Sequence, residues 1–118
     1  MDGVPGTPPE LPGTPVGGAY SDVRSANVGG AVHHMPADSV SPIPTQNGPS
    51  IWMESADHQL TGSYGSGEWA AAYRAKQQSL IESGRFMDAV QMDIENVRDL
   101  FGSKYDEAIQ RMLDYLGE

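Results

Sequence analysis

The chain contains no cysteine among its 118 residues. Disulfide bonds and cysteine-based zinc sites are therefore excluded, so a transition-metal site would have to use histidine and carboxylate ligands. Long apolar runs are also missing, and the first residues lack the basic and apolar regions of a signal peptide. We therefore expect no membrane span, and we expect a domain cut from a larger chain, which something else would carry if the protein leaves its cell.

Basic residues are scarce. Seven Lys and Arg stand against 16 Asp and Glu, which gives a net charge of −9. This balance argues against broad, charge-driven binding to nucleic acid, because such binding depends on cations that neutralise many phosphates. It does not exclude a nuclease, since one divalent cation and a few well-placed side chains can hold a single scissile phosphate.

Proline is confined to the first part of the chain, where all nine prolines lie at or before Pro49. The opening run is so rich in Pro and Gly that it cannot bury apolar surface. The composition therefore predicts a flexible linker over residues 1–19 and one folded domain over residues 20–118.

The first half of this domain, residues 20–67, is rich in Gly, Pro, Ser and Asn. Short apolar pieces interrupt it and predict one or two strands within residues 28–35 and another at 50–53. We therefore expect a β-hairpin and loop lobe with little regular structure.

The second half, residues 68–118, shows helical periodicity. It predicts helices over 68–82 and 85–101, separated by Gly84, and a third helix after Gly102 with Ser103 as its N-cap. Their apolar stripes favour core packing over cofactor contacts. The residues expected to face inward are Trp69, Ala72, Tyr73 and Leu80 in the first helix, Phe86, Val90, Ile94, Val97 and Phe101 in the second, and Tyr105, Ala108, Ile109, Met112, Leu113 and Leu116 in the third.

Two adjacent histidines, His33 and His34, follow a Gly-Gly turn signal and precede a proline. Asn47 comes 13 residues later, and His58 follows 11 residues after that. Neighbouring side chains in a strand point to opposite faces, so the two histidines can serve two different roles. A histidine is well suited to act as a general base because its pKa lies near neutrality. The order His-His, Asn, His can build a one-metal phosphodiesterase site.

Segments around these residues resemble the HNH/endonuclease VII (His-Me finger) nucleases, namely HHMPADS at 33–39, NGP at 47–49 and ADHQLT at 56–61. The downstream segments are similar to the "HH" toxin nucleases at the C-termini of bacterial polymorphic toxins, such as Rhs-type and contact-dependent effectors. These segments are AYR at 72–74, GRF at 84–86, QMD at 91–93 and GSKYD at 102–106. The resemblance spans about residues 19–117.

The resemblance implies an α+β fold with a small ββα-metal core and a C-terminal tail of about three helices. It implies a metal-dependent endonuclease toxin that cleaves nucleic acid in the cytoplasm of competitor bacteria, with DNA favoured over RNA. The cofactor would be Mg²⁺, Mn²⁺ or Zn²⁺. A cognate immunity protein would neutralise the toxin in the producer cell, and the charge of −9 predicts a basic patch on that partner.

The resemblance also implies roles for the histidines and for two neighbouring carboxylates. His34 would be the general base, with its imidazole oriented by a backbone carbonyl or a neighbouring side chain. His33 would lie on the metal side, and His58 would be the second metal ligand. Asp57 and Asp38 would be reserve ligands.

Four further residues complete the implied site. Asn47 would fix the loop geometry or orient the base, and Arg74 and Lys76 would be the nearest downstream cations for a phosphate. Related toxins carry an acidic residue just before Val-His-His, where this chain has Ala31. The resulting hypothesis is that this copy is weakened or inactivated at position 31.

Simpler interpretations of the same residues stay open. The histidine pair is also compatible with an exposed loop or an incidental surface metal site, and Asn47 followed by glycine with an ordinary turn. His58 is compatible with a helix start capped by Asp57, and Asp38 with an N-cap. In functional terms, the alternative is a non-catalytic helical interaction module with incidental histidines. A different metal-dependent hydrolase is a third hypothesis.

Overall fold

The computed structural model describes residues 16–118, and residues 1–15 lie outside the described part. The described residues form three strands and five helices. In chain order these are β1 (Gly17–Ala19), α1 (Tyr20–Ser25), β2 (Ala31–His34), β3 (Pro49–Met53), α2 (Ser55–His58), α3 (Glu68–Glu82), α4 (Phe86–Phe101) and α5 (Asp106–Leu116). A single 3-10 turn, Thr45–Asn47, precedes β3.

The three strands form one antiparallel sheet in the order β1-β3-β2. On β2, His33 pairs with Ile51 and His34 with Ser50 of the central strand, and Gly17 of β1 pairs with Ile51 from the other side. All five residues of β3 are buried, as expected for a central strand. The sheet and the helices confirm the α+β class predicted from the sequence.

Helix α5 covers the sheet at β1 and β3. Its backbone approaches β1 so closely that a Cβ at Gly17 would overlap the carbonyl oxygen of Ala108. Glycine at this position therefore allows the helix to pack directly on the strand. Tyr105 and Met112 of this region are almost completely buried against the sheet and join one continuous core with Ile51 and Met53.

The predicted inward faces of α4 and α5 are confirmed. Val90 and Val97 are fully buried, and Ile94 is 6 % exposed. Phe86 and Phe101, at the two ends of α4, are partly buried and pack against the same core. On α5, Ala108, Ile109 and Met112 are buried, while Leu113 and Leu116 pack at the edge.

The predicted inward face of α3 is confirmed for Tyr73 and Leu80, which are partly buried, and wrong for Trp69 and Ala72. Trp69 is 77 % exposed and Ala72 is exposed, whereas Ala70 and Gln77 are buried. The side chain of Gln77 donates to the Ala89 carbonyl at 3.1 Å in the neighbouring helix α4. Apolar periodicity did not reveal this face because the contact with α4 includes a buried amide.

Two predicted boundaries also need correction. Val16 is buried and β1 pairs with β3, so residues 16–19 belong to the folded domain and not to the predicted linker. Ser103 is not the N-cap of the last helix. Helix α5 starts at Asp106 with Tyr105 at the cap position, and Ser103 lies in the preceding turn, where its carbonyl accepts from the Asp106 amide.

Within residues 16–118, no helix combines the length and the apolar character that a membrane crossing requires.

Candidate active site

His33 and His34 are neighbours on strand β2 but have different surroundings. His33 is only 2 % exposed, and its ring meets that of His58 at a centroid distance of 5.1 Å. The ring of His34 stacks on Tyr20 of α1 with a centroid distance of 4.4 Å and an interplanar angle of 15°. The extended backbone separates the neighbouring side chains in the way the sequence predicts.

The ring of His34 is oriented by the loop that precedes β3. Its Nε2 lies 3.1 Å from the backbone carbonyl oxygen of Thr45. Because a carbonyl can only accept, Nε2 carries the hydrogen, and Nδ1 is the nitrogen that is free to accept a proton. A Cβ at Gly48 would lie 2.7 Å from Cδ2 of the ring, so the glycine leaves the space that the ring occupies.

A carboxylate lies beside the same imidazole. The Oδ1 of Asp38 is 3.9 Å from Nε2 of His34, and its Oδ2 accepts a hydrogen bond of 3.0 Å from the Thr45 hydroxyl. Thr45 therefore contacts both groups, through its carbonyl and through its side chain. No helix begins at Asp38, so the predicted N-cap role is not what this residue does.

His58 is the last residue of α2 and lies between two other rings. Its centroid is 5.1 Å from that of His33 and 5.2 Å from that of Tyr64. Burial lowers the pKa of His58, and the nearby His34 lowers it further. Burial lowers the pKa of His33 to about 3, with further contributions from His58 and His34. His33 and His58 are therefore neutral near pH 7, which is the form that binds metal ions.

The Nε2 atom of His33 is buried and has no hydrogen-bond partner within residues 16–118. Buried polar atoms are nearly always paired, so an unpaired one calls for an explanation such as a ligand. Two neutral imidazoles suit a divalent transition metal whose other positions go to water and phosphate oxygens. His33 and His58 are thus the residues that could hold such an ion. Among the described residues, no group of three His, Asp or Glu side chains is arranged to hold a metal.

A cleft of about 220 Å³ brings these groups together. His33, His34 and His58 all line it, and Asp38 and the partly exposed Tyr64 lie at its border. The cleft therefore combines a fixed imidazole, two neutral imidazoles and one carboxylate. Such a set can bind a cation and move a proton.

Asp57 is not among the residues that line this cleft. Its Oδ2 accepts hydrogen bonds of 2.6 Å from Lys104 and 2.6 Å from the Tyr105 hydroxyl. Burial alone would raise the pKa of Asp57, but the hydrogen bonds from Lys104 and Tyr105 and the charge of Lys104 outweigh it and lower the pKa. The structure thus gives Asp57 a role in joining α2 to the start of α5, in place of the predicted ligand role.

The two predicted phosphate-binding cations also lie elsewhere. Arg74 donates from Nη1 to the carbonyls of Ser63 at 2.6 Å and Gly65 at 2.8 Å. It therefore holds the loop that forms one wall of the cleft. Lys76 borders a separate groove on α3, beside Trp69.

Asn47 and Ala31 contribute less directly than predicted. Asn47 is exposed in the 3-10 turn, and its backbone carbonyl accepts a hydrogen bond of 2.7 Å from Tyr115. It supports the loop through its backbone, while the Thr45 carbonyl contacts the imidazole of His34. Ala31 begins β2 on the same face as His33 but does not line the cleft.

Three residues of the site were not predicted from the sequence. Tyr20 is the first residue of the predicted domain and showed no pattern that points to a site. Thr45 acts through a backbone carbonyl, which carries no sequence signal. Tyr64 lies in a Gly- and Ser-rich loop, and the only sequence feature that could have drawn attention to it is an aromatic residue in such a loop.

Comparisons with models of protein families, with curated proteins and with solved structures found no match for this chain.

Proposed function

We propose that this protein is a metal-dependent endonuclease whose active site is the histidine cleft. The observation that carries the proposal is the convergence of three histidines in one cleft, with one ring fixed and two rings neutral. The order β2, β3, α2 supports a ββα-metal (His-Me finger) core. In this interpretation the histidine pair ends the first strand of the core and His58 ends its helix.

His34 is the general base of the proposed reaction. Its Nδ1 accepts a proton from the attacking water, whose oxygen bonds to phosphorus while the P–O bond to the leaving strand breaks and the leaving oxygen takes a proton from solvent. The Thr45 carbonyl and the Tyr20 ring keep the imidazole in place. The carboxylate of Asp38, 3.9 Å away, stabilises the imidazolium that forms. Holding the base in one orientation lowers the entropic cost of reaching the transition state.

His33 and His58 would hold the divalent cation, which would be Mg²⁺, Mn²⁺ or Zn²⁺. When bound, the cation supplies electrostatic stabilisation of the charge that develops on the phosphate. The protein contributes by keeping both rings neutral through burial, so that neither has to lose a proton before it binds. The unpaired Nε2 of His33 supports this assignment.

The biological setting that fits this proposal is competition between bacteria. The domain would be the toxic end of a larger secreted effector, act on DNA in the cytoplasm of the target cell, and be blocked by a cognate immunity protein. The charge of −9 favours a basic surface on that inhibitor, which would also speed association at low salt. Ala31 remains the basis of the hypothesis that this copy is weakened.

The purified chain should be incubated with plasmid DNA and with total RNA, in Mg²⁺, Mn²⁺, Zn²⁺ or EDTA. We expect metal-dependent degradation that is lost in His34→Ala and His58→Ala. The matched control is Gln59→Ala, because Gln59 is exposed and directly follows His58. Intact nucleic acid under every metal, also with Ala31→Glu, would contradict the proposal.

A second candidate function is supported by the exposed face of α3. Trp69, Tyr73, Lys76 and Met92 border a mainly apolar groove of about 350 Å³. Such a groove favours a non-catalytic interaction module, with incidental histidines. In that case Trp69→Ser would abolish the biological effect of the chain while His34→Ala would leave it unchanged.

A further inference from the structure

A second polar pocket adjoins the histidine cleft. It has a volume of about 230 Å³, shares Val32 with the cleft, and is also lined by Tyr20, the residue that stacks on His34. Arg24 and Asn27 line this pocket and a further polar pocket of about 390 Å³. Arg24 therefore borders two polar pockets, and one of them also includes Tyr20, which stacks on the proposed base.

Arg24 differs from most other cations of the chain in its lack of a side-chain partner within residues 16–118. Most of the seven Lys and Arg residues already bind protein groups. These are Arg74 with two carbonyls and Arg85, Arg98, Lys104 and Arg111 with carboxylates. Among the Lys and Arg residues, only Arg24 and Lys76 make no side-chain ion pair or hydrogen bond within residues 16–118. Lys76 borders the groove on α3, whereas Arg24 belongs to the helix that contacts His34.

Local geometry holds Arg24 close to the cleft. Tyr20 and Arg24 are four residues apart on α1, so they lie on one face with Cβ atoms roughly 5–6 Å apart. The turn behind them is fixed because Trp52 donates from Nε1 to the Gly29 carbonyl at 2.7 Å. A Cβ at Gly30 would lie 2.5 Å from the Met53 carbonyl oxygen, so the turn packs tightly on β3.

We propose that Arg24 binds a phosphate of the nucleic-acid strand next to the one in the histidine cleft. This inference rests on the proposed function. Guanidinium presents a planar set of donors that matches phosphate oxygens, and Ser21, Asn27 and Gln46 add polar groups around it. On a chain of charge −9, a strand that enters the cleft meets repulsion, and a free cation beside the cleft offsets it. Arg24 takes the role that the sequence assigned to Arg74 and Lys76.

The test measures binding of a fluorescently labelled single-stranded DNA oligonucleotide to the His34→Ala chain, by anisotropy, over a series of salt concentrations. Adding Arg24→Ala should weaken binding several-fold and make the slope of log affinity against log salt shallower by about 0.7, the value for one lost phosphate contact. Arg24→Lys should retain most of the slope. Lys76→Ala is the matched control, since Lys76 is also unpaired but lies on α3, and it should change neither quantity.

If Arg24→Ala and Lys76→Ala behave alike, the proposal is overturned, and absence of measurable binding by the His34→Ala chain overturns it as well. Thermal unfolding should change little in Arg24→Ala and Lys76→Ala, because both side chains are exposed and neither makes a hydrogen bond or ion pair within residues 16–118. Cleavage assays distinguish failure of the nuclease proposal from failure of the phosphate-site proposal. Cleavage with an unchanged KM in Arg24→Ala leaves the nuclease standing without the phosphate site. Arg24-dependent binding without cleavage under any metal leaves the phosphate site standing without the nuclease.

Discussion

The imidazole of His34 donates to the backbone carbonyl of Thr45, so the residue that orients the proposed base does so without its side chain. Substitution at position 45 leaves this acceptor in place. The orientation depends instead on the path of the loop between β2 and β3. That path brings the Gly48 Cα close to the imidazole.

Gly48→Ala should therefore reduce catalysis. The added Cβ would lie 2.7 Å from Cδ2 of His34 and force the ring or the loop to move. A displacement of about 1 Å in a catalytic group can cost on the order of 100-fold in rate, so we expect kcat to fall by at least about tenfold. The measurement is the rate of plasmid cleavage at saturating metal.

Gly67→Ala is the control for this substitution, because a Cβ at Gly67 meets nothing within 4 Å. It should leave the cleavage rate unchanged. Equal rates for Gly48→Ala and the parent chain would show that the ring position does not limit catalysis.

Asp57→Asn should affect stability and leave metal affinity unchanged. The substitution removes the charge that pairs with Lys104 Nζ at 2.6 Å in a partly buried position. We expect the free energy of unfolding in urea to fall by about 1–3 kcal/mol. The apparent metal affinity, measured by titrating cleavage activity, should match that of the parent chain.

Arg111→Ala provides the comparison, because its ion pair with Glu107 is highly exposed. Pairs of that kind contribute about 0–1 kcal/mol. A large loss of metal affinity in Asp57→Asn would restore the ligand role predicted from the sequence.

Asp93 should make stability depend on pH. It is buried between α3 and α4 and accepts hydrogen bonds of 2.7 Å from Tyr73 and 2.8 Å from Gln77. Burial raises its pKa from 3.8 to about 7, although both hydrogen bonds oppose the shift. Between these two values the unfolded chain loses the proton while the folded chain keeps it. Its contribution is therefore complete below pH 3.8 and is lost as the pH rises to about 7.

Asp93→Asn should flatten this dependence, because the amide does not titrate. The measurement is the free energy of unfolding in urea at several pH values from 4 to 8, and the difference between parent and variant should shrink as pH rises. The groups that face Asp93 are Tyr73 and Gln77; burial and Asp93 raise the pKa of Tyr73, so it stays protonated over this range, and the Gln77 amide carries no titratable proton. A constant difference across the range would contradict the prediction.

Truncating the polar Gln77 should cost more stability than truncating the apolar Trp69. Gln77 is fully buried, accepts from the Ala37 amide and donates to Ala89 and Asp93. Gln77→Ala leaves these groups unpaired and opens a cavity, so we expect a loss of about 2–4 kcal/mol in urea unfolding. Trp69→Ala removes a side chain that is 77 % exposed, and the expected change is within about 0.5 kcal/mol. A larger loss for Trp69→Ala than for Gln77→Ala would contradict the observed face of α3.

The helices after residue 67 could be predicted well because local signals define them. Gly84 and Gly102 end α3 and α4 close to the predicted positions, and the apolar stripes of α4 and α5 do face the core. The orientation of α3 could not be predicted in the same way. It depends on the buried amide of Gln77, whose partners come from α4 and from a loop 40 residues away.

The candidate site shows the same limit. The histidines could be singled out because their residue type carries the chemistry, and the structure brings all three into one cleft. The Thr45 carbonyl could not be singled out, since every residue has one. The resemblance implied a phosphate contact for Arg74 as one of the nearest downstream cations, and only the fold reveals that its guanidinium binds two loop carbonyls.

The hydrogen bonds from Arg74 to Ser63 and Gly65 also bear on how the chain can be divided. The loop lobe over residues 20–67 and the helical part over 68–118 differ in composition, yet α3 fastens one wall of the cleft and α5 covers β1 and β3. A fragment that ends before α3 would keep all three histidines and lose the support of both the cleft and the sheet. The smallest unit that can be transplanted into another protein with this site intact therefore includes α3, α4 and α5, although these three helices contain no histidine.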